Sequence, residues 1–292
     1  MPRALDHLVL TVKDLTTSRE RFEALGFSVN ATGYHPFGTA NCCIFFDNDT
    51  YLEPLAVYDM AKAAKALSDS NPFVVMDQAY RNTFGDQGLS GIALKTKDAV
   101  ADRKAFAAGG AEDRTMLSFE REAKHPDGTS NLLKVRGAYC AKSDFPGCSF
   151  FTVEWLGDPS VVQRIRSAPE HPNGAIGVTD AYFMEGEGDG VVDFMGLAFD
   201  ATATPERHGS KFALPGFNVH TFSGMNDLPE KLVGLGTTDN TRFHAFAFRI
   251  VVSDPERVAY NLTHNRIPFE KHGEDVAVPA AEGQGAAIVF GT

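Results

Sequence analysis

The hydrophobic pattern at the start of the chain predicts a β-strand. In LDHLVLTV, residues 5–12, the apolar residues Leu8, Leu10 and Val12 share one face. His7 opens the other face, which should also point towards an apolar interior. A short amphipathic helix follows in RFEALGF and ends at a glycine, as expected for a left-handed helix C-terminus. The segment therefore predicts a strand and a helix, with an imidazole that needs an explanation.

The same pattern returns later in the chain. HLVLTVKD at residues 7–14 corresponds to GIALKTKD at residues 91–98, and the glycines that end the two helices, Gly26 and Gly110, keep that spacing. Repeats of this length indicate repeated structural units. The position of His7 is taken by Gly91 in the second copy.

A second repeat predicts a tight turn in each unit. HPFGTAN at residues 35–41 is echoed by HPDGTSN at residues 125–131. Proline fixes φ, glycine accepts positive φ, and threonine and asparagine bond to the local backbone. We interpret His35 and His125 as turn residues, because turn geometry accounts for the whole motif without chemistry.

A third repeat places a glutamate in the middle of a strand. YLEPL at residues 51–55 carries Glu53, and TVEWL at residues 152–156 carries Glu154. A carboxylate inside an apolar strand is costly unless a cation, an imidazole or water compensates it. Each unit therefore reads strand, helix and three further strands, with an acid in the last one.

The second half of the chain repeats the pattern more faintly. FRIVVSD at residues 248–254 resembles the first strand, and a helical pattern and a final strand, GAAIVFGT, follow it. The fold class predicted is α+β, with four βαβββ modules paired into two cupped-sheet domains. We predict a first domain over residues 1–165 and a second, degenerate one over 166–292, with modules at 5–57, 88–157, 174–224 and 242–292.

Composition narrows the classes of function. The chain has 292 residues, 43% hydrophobic and 22% charged, which suits a globular protein of two domains. A net charge of −11 argues against a nucleic-acid partner, because binding to the phosphate backbone needs a basic surface. No apolar run is long enough for a membrane span. The four cysteines lack zinc-type spacing, so we expect packed, reduced thiols and a cytoplasmic protein.

Paired βαβββ units, a histidine that opens a strand and a mid-strand glutamate resemble the vicinal oxygen chelate superfamily. That superfamily includes glyoxalase I, extradiol dioxygenases and the bleomycin-resistance proteins, and the turn followed by YLEPL resembles its glyoxalase-like branch. The resemblance implies that two units form one cup. It also implies a divalent metal held by one residue from the first and last strand of each unit.

Carried over strand by strand, the resemblance implies three metal ligands, His7, Glu53 and Glu154, with Gly91 at the fourth position. One imidazole and two carboxylates suit Fe(II), Mn(II), Zn(II) or Ni(II). Glu53 or Glu154 would also act as a general base, because neighbouring carboxylates and apolar strands raise a pKa. The alternative is that His7 and the glutamates are hydrogen-bonded to one another without a metal.

Three further residues are predicted to line the substrate pocket. Gly91 leaves space, and Asn41 and Asn131 begin the third strands and can reach the cup. The second domain has Ala247 at the histidine position and no acid in its last strand. We therefore expect that domain to be free of metal and to complete a pocket or an interface.

The function expected is a metal-dependent isomerase, lyase or dioxygenase acting on a small molecule with vicinal oxygens. The alternative is a metal-free small-molecule binding protein of the bleomycin-resistance type. The expected partner is a small molecule, without nucleic acid or membrane, and a homodimer is compatible with the sequence.

Overall fold

The computed structural model describes residues 1–124, 130–235 and 241–292. The fold is α+β, as predicted, and consists of four βαβββ units, the first with one of its strands divided into two short pieces. The units pair into two cups that belong to one continuous 17-stranded sheet. In the first unit the elements are β1 Leu5–Thr11, α1 Leu15–Ala24, β2 Gly33–Tyr34, β3 Thr39–Asn41, β4 Ile44–Phe45 and β5 Tyr51–Val57. In the second they are β6 Gly88–Lys95, α4 Ala99–Ala108, β7 Leu117–Lys124, β8 Ser130–Cys140 and β9 Ser149–Leu156.

The second half repeats this order. The third unit comprises β10 Ala175–Met184, α6 Val191–Phe199, β11 Thr204–Glu206, β12 Gly209–Leu214 and β13 Phe217–Phe222. The fourth comprises β14 His244–Val252, α7 Pro255–His264, β15 Glu270–His272, β16 Asp275–Val278 and β17 Ala287–Gly291. Helices α2 Met60–Ser68 and α3 Pro72–Phe84 join the first two units, and α5 Pro159–Ile165 leads from the first half to the second.

Strand pairing follows one rule throughout. The first strand of a unit pairs in parallel with the last strand of that unit and antiparallel with the first strand of the partner unit, as in β1 with β5 and β6. A single pairing, Ala245 with Leu89, connects the two cups. The point at which one domain ends and the next begins, placed at residues 165 and 166 from the sequence, stays a prediction.

In three of the four units, an aspartate after the first strand caps the following helix. Asp14, Asp98 and Asp254 accept hydrogen bonds from backbone N–H groups in the first turns of α1, α4 and α7. Such caps satisfy N–H groups that the helix itself leaves unpaired. Gly26 and Gly110 follow the first two of these helices with φ of +87°, so the predicted helix ends are also observed.

The main core lies between the two cups. Phenylalanine rings from both halves meet there, for example Phe27 stacked on Phe290 at 5.8 Å and Phe150 beside Phe183 at 6.1 Å. All four cysteines are buried and free, consistent with packed thiols. No helix in the described part of the chain is long and apolar enough to cross a membrane.

A second core fills the inside of the first cup. It consists of side chains from the sheet together with residues of α3, including Phe73 and Met76. In the connection over residues 58–87, MAKAAKALSD has the pattern of one helix, which the structure shows as α2. The structure adds α3, whose start is set by Asn71 capping a helix with Pro72 in its first turn. This helix covers the cup and leaves only a small chamber at its floor.

Candidate functional site

Four polar side chains meet at the floor of the first cup, and all are buried. His7 lies on β1 and Glu53 on the neighbouring β5, with 3.1 Å between His7 Nε2 and Glu53 Oε2. Asn41, at the end of β3, donates from Nδ2 to Glu53 Oε1 at 2.6 Å. His35 lies in the turn before β3, with its Nε2 3.7 Å from Glu53 Oε1. Glu53 is therefore surrounded by two imidazoles and one amide.

His7 also belongs to a chain of charges that continues behind the sheet. Its Nδ1 is 2.7 Å from Asp6 Oδ1. Asp6 accepts hydrogen bonds at Oδ2 from Arg166 at 2.6 Å and from the indole of Trp155 at 3.1 Å. Burial opposes protonation of His7, but the hydrogen bonds and charges of Asp6 and Glu53 outweigh it and raise the pKa of this ring.

Glu53 is held in its ionised form. Burial alone would raise the pKa of this carboxyl, but the hydrogen bond and charge of His7, the charge of His35 and the hydrogen bond from Asn41 lower it to about 2. The sequence led us to expect a raised pKa and a general base at this position. The structure contradicts that expectation, because the carboxylate already has partners that stabilise its charge.

His35 is the site residue that sequence reasoning assigned to the turn alone. Its Nδ1 lies 2.9 Å from Thr39 Oγ1, and its ring stacks on Phe37 at 5.0 Å. Burial lowers the pKa of His35 to about 4, opposed by the charge of Glu53 and reinforced by the charges of Arg121 and His7. His35 is thus an uncharged imidazole beside an ionised carboxylate at neutral pH. His125, its counterpart in the repeat, lies outside the described residues.

Glu154 lies on the other face of its strand. Arg136 donates to both of its carboxylate oxygens at 3.0 Å, and the backbone N–H of Ala99 donates to it at the start of α4. Its neighbours Val153 and Trp155 line the cup instead. The structure therefore brings His7 and Glu53 together but not Glu154, because aligning YLEPL with TVEWL matches residues on opposite faces of the sheet.

Two of the predicted pocket residues lie elsewhere. Gly91 is packed beside Val9 and Ser149, since an added Cβ would lie 2.9 Å from Ser149 Oγ and 3.3 Å from Val9. Asn131 accepts a hydrogen bond from Arg164 at 2.6 Å on the protein surface. The missing side chain at Gly91 therefore does not open the chamber.

The chamber above Glu53 is small and mostly apolar. Its space for water-sized molecules is about 40 Å³, enough for roughly two or three waters. Phe73 of α3 lies over it, and Arg121 of β7 contributes a cation to its wall. The remaining lining residues are aromatic or aliphatic: Tyr51, Leu117, Phe119, Leu133, Val135, Phe151, Val153 and Trp155.

A larger cleft of about 1280 Å³ lies behind the sheet, on the other side of Asp6 and Trp155. Its principal charged side chains pair with each other, as Lys95 does with Asp49 at 2.5 Å and Arg166 with Asp6. His7, His35, Asn41 and Glu53 converge in the chamber, so we take the chamber as the candidate site despite its smaller volume.

The polar cluster does not fit a metal ion as it stands. Within residues 1–124, 130–235 and 241–292, no group of three or more His, Cys, Asp and Glu side chains is placed to hold one. The ring of His7 already bridges Asp6 and Glu53, and Arg121 adds a positive charge nearby. Glu154 was the donor expected from the second unit, and it is turned away.

The second cup carries a related pair in reverse order. Asp180 on β10 and His220 on β13 lie 3.1 Å apart, so the acid lies on the first strand and the imidazole on the last. Asn218 donates to the same carboxylate at 3.1 Å. The parallel pairing of β10 with β13 sets Asn218 opposite Asp180 and brings His220, two residues further along β13, to the same carboxylate.

The fold and the sequence together define the family to which the chain belongs. Residues 5–193 match the family described as a glyoxalase-like domain, and the chain belongs to that family within the vicinal oxygen chelate superfamily. No protein of curated function matches the sequence.

Several solved structures share the fold. A hypothetical protein from Staphylococcus aureus has a TM-score of 0.68 and 15% identity over 99% of both chains. A mutant of 4-hydroxymandelate synthase from Streptomyces coelicolor has a TM-score of 0.52 and 11% identity, and the match covers 100% of this chain and 93% of that one. The Mn(II)-bound glyoxalase from Novosphingobium aromaticivorans has a TM-score of 0.55 and 10% identity, and the match covers 99% of this chain and 82% of that one. At these identities the likeness shows the fold alone.

Proposed function

We propose that the first cup is a metal-independent small-molecule site in which Glu53 fixes the ligand and His35 handles its proton. The observation that carries the proposal is the environment of Glu53, whose charge is balanced by His7 and whose other oxygen accepts a hydrogen bond from Asn41. A carboxylate with so low a pKa is a poor base and a strong hydrogen-bond acceptor. It is suited to accept an O–H or N–H group of a bound molecule.

His35 is the uncharged side chain of this cluster that can take up a proton, and its pKa of about 4 makes it a weaker base than a free imidazole. It is uncharged at neutral pH and lies against Glu53. An uncharged imidazole beside a bound hydroxyl, or beside a carbon next to a carbonyl, acts as a general base, and the adjacent carboxylate stabilises the imidazolium that forms. Proton transfer of this kind is a step in isomerase and lyase reactions, and in this proposal it takes place without a metal.

A divalent metal is the second candidate. The Mn(II)-bound glyoxalase is a neighbour by fold, and the distance of 3.7 Å between His35 Nε2 and Glu53 Oε1 brings a second imidazole near the carboxylate. His7, His35 and Glu53 would be the ligands, and the metal would supply Lewis acidity to a substrate oxygen. This arrangement requires His7 to give up its present pairing with Glu53.

Metal content and ligand binding separate the two candidates. Wild type, Glu53→Gln, His35→Phe and Glu154→Gln are incubated with Mn(II), Fe(II), Zn(II) or Ni(II), dialysed and analysed for bound metal. The same proteins are screened by thermal shift against aromatic and aliphatic hydroxy and oxo compounds. Glu154→Gln is the matched control, because it removes a glutamate of the same repeat from the outer face of the sheet.

We expect no stoichiometric metal in any of the four proteins. We also expect ligand-induced shifts in wild type and Glu154→Gln that are lost in Glu53→Gln and His35→Phe. One metal ion per chain that disappears in Glu53→Gln would establish the second candidate instead. Shifts that survive in Glu53→Gln would place the ligand outside this cup.

A further inference from the structure

Arg121 lies at the edge of the chamber, and none of the residues that the structure describes forms an ion pair with it. It lies on β7 and lines the chamber beside the cluster of His7, His35, Asn41 and Glu53. Its Nε is sealed from solvent and has no hydrogen-bond acceptor among the described residues. Arg136, on the adjacent strand, instead donates to both oxygens of Glu154. A guanidinium is always charged and carries five N–H donors. A buried N–H without an acceptor is unfavourable, and a ligand that provides an acceptor removes that cost.

The guanidinium is directed towards the polar floor. An added Cβ at Gly33 would lie 2.1 Å from Arg121 Nη1 and 2.6 Å from Asn41 Oδ1. The ends of both side chains therefore pack against this glycine. The charge of Arg121 also contributes to lowering the pKa of His35. The guanidinium of Arg121 and the acceptor Glu53, to which Asn41 is bonded, therefore face one small volume.

The walls of that volume are mainly aromatic. The ring of His35 lies 5.4 Å from both Phe73 and Phe119, and the ring of His7 lies 5.7 Å from Phe151. Rings of this kind bind another aromatic ring by offset or edge contacts. Because the chamber has space for only a few waters, a larger ligand would require Phe73 or Phe119 to move aside.

We propose that the ligand of this cup is a compact aromatic carboxylate, held through its anionic group by Arg121 and through a hydroxyl or carbonyl by the Glu53–His35 floor. A carboxylate matches the forked donors of arginine, which a lysine cannot reproduce. The inference rests on the proposed function and adds the chemical class of the ligand. It also makes Gly33 a specificity position, since a side chain there displaces the guanidinium.

The test uses calorimetric titration with benzoate and phenyllactate, and with benzamide and phenyllactamide as their neutral counterparts. Trp155 is the only tryptophan of the chain and lines both the chamber and the larger cleft. Quenching of its fluorescence therefore reports binding in this part of the protein, and the Arg121 and Glu53 variants assign that binding to the chamber. The variants are Arg121→Gln, Arg121→Lys, Gly33→Ala and Glu53→Gln, with Arg136→Gln as the matched control on the neighbouring strand. Circular dichroism verifies that each variant is folded.

We expect wild type and Arg136→Gln to bind at least one of the acids more tightly than its amide. Arg121→Gln should weaken binding of the acid about 10- to 100-fold, as expected for a charge-assisted hydrogen bond, and should leave the amide unchanged. Arg121→Lys and Gly33→Ala should give intermediate losses. Glu53→Gln should weaken binding of phenyllactate and phenyllactamide alike, because it acts on the hydroxyl.

The failures of the two proposals are distinguishable. Equal affinity for acid and amide in wild type, or acid binding unchanged in Arg121→Gln, overturns the assignment of Arg121, whereas loss in Glu53→Gln still supports the cup as a small-molecule site. If none of the four compounds binds wild type, the aromatic carboxylate class is wrong, and the wider thermal-shift screen then decides on the site itself. Affinity that is unchanged in both Arg121→Gln and Glu53→Gln overturns both proposals.

Discussion

Replacing Glu53 with glutamine should remove a pH-dependent part of the stability of the protein. The carboxyl has a pKa of about 2 in the folded protein, against 4.5 for the free group. Each pKa unit corresponds to about 1.4 kcal/mol, so this difference amounts to about 3 kcal/mol of unfolding free energy. The side chain is 4% exposed, so solvent screens the interaction little.

The sign follows from the direction of the shift. A folded-state pKa below the unfolded value means that the unfolded chain takes up the proton first as the pH falls. The contribution of Glu53 is therefore complete above pH 4.5 and is lost as the pH falls from 4.5 towards about 2. Glu53→Gln should reduce the unfolding free energy by about 3 kcal/mol at neutral pH, and its difference from wild type should shrink in acid.

Urea denaturation followed by circular dichroism measures this at several pH values between about 7 and 3. Glu154→Gln is the control, because it leaves Glu53 in place and should keep the acid dependence of wild type. If Glu53→Gln lies within about 0.5 kcal/mol of wild type at neutral pH, less than the effect of an ordinary buried hydrogen bond, the carboxylate is not held as described. An unchanged acid dependence in Glu53→Gln would contradict the account equally.

Further predictions concern the surroundings of the site. Arg166→Met should cost about 3–5 kcal/mol in urea denaturation, since it leaves Asp6 buried without its cation; a loss below about 1 kcal/mol, the level of a surface ion pair, would contradict this. Asp14→Ala should cost about 1 kcal/mol by removing a helix cap, and no loss would show that the cap is dispensable. In histidine NMR titrations His7 should stay protonated above pH 6.5, whereas His35 should stay uncharged until about pH 4; reversed titrations would refute the site description. The four buried thiols should resist labelling in the native protein and react after denaturation, and rapid native labelling would show that the core opens.

The repeated pattern of the sequence was sufficient for the fold. Strand alternation, an aspartate before each of three helices and a glycine after the first two are local signals, and each acts through hydrogen bonds or φ angles of nearby residues. Asp14 and Asp98 cap the helices that the repeat predicts. For this reason the four units and their pairing could be predicted without a structure.

Part of the site was also visible in the sequence. His7 and Glu53 stand on the first and last strands of one unit, and those strands are neighbours in this fold. Asn41 follows from the same unit, because β3 pairs with β5 and sets Asn41 opposite Leu55, two residues from Glu53. That pairing also brings the turn residue His35 to the carboxylate, which turn chemistry alone did not predict.

The remaining features depend on contacts between distant parts of the chain. Which face of β9 points into the cup is decided by the register with β6 and β8, and a change of one residue exchanges Glu154 for Trp155. Helix α3 covers the chamber and Arg121 contributes its cation. Neither segment carries a sequence motif that would predict its position near Glu53. The sequence by itself determined the strands, helices and turns, because those depend on near neighbours. Only the tertiary structure decided which polar side chains meet, because that depends on strand register and on what covers the cup.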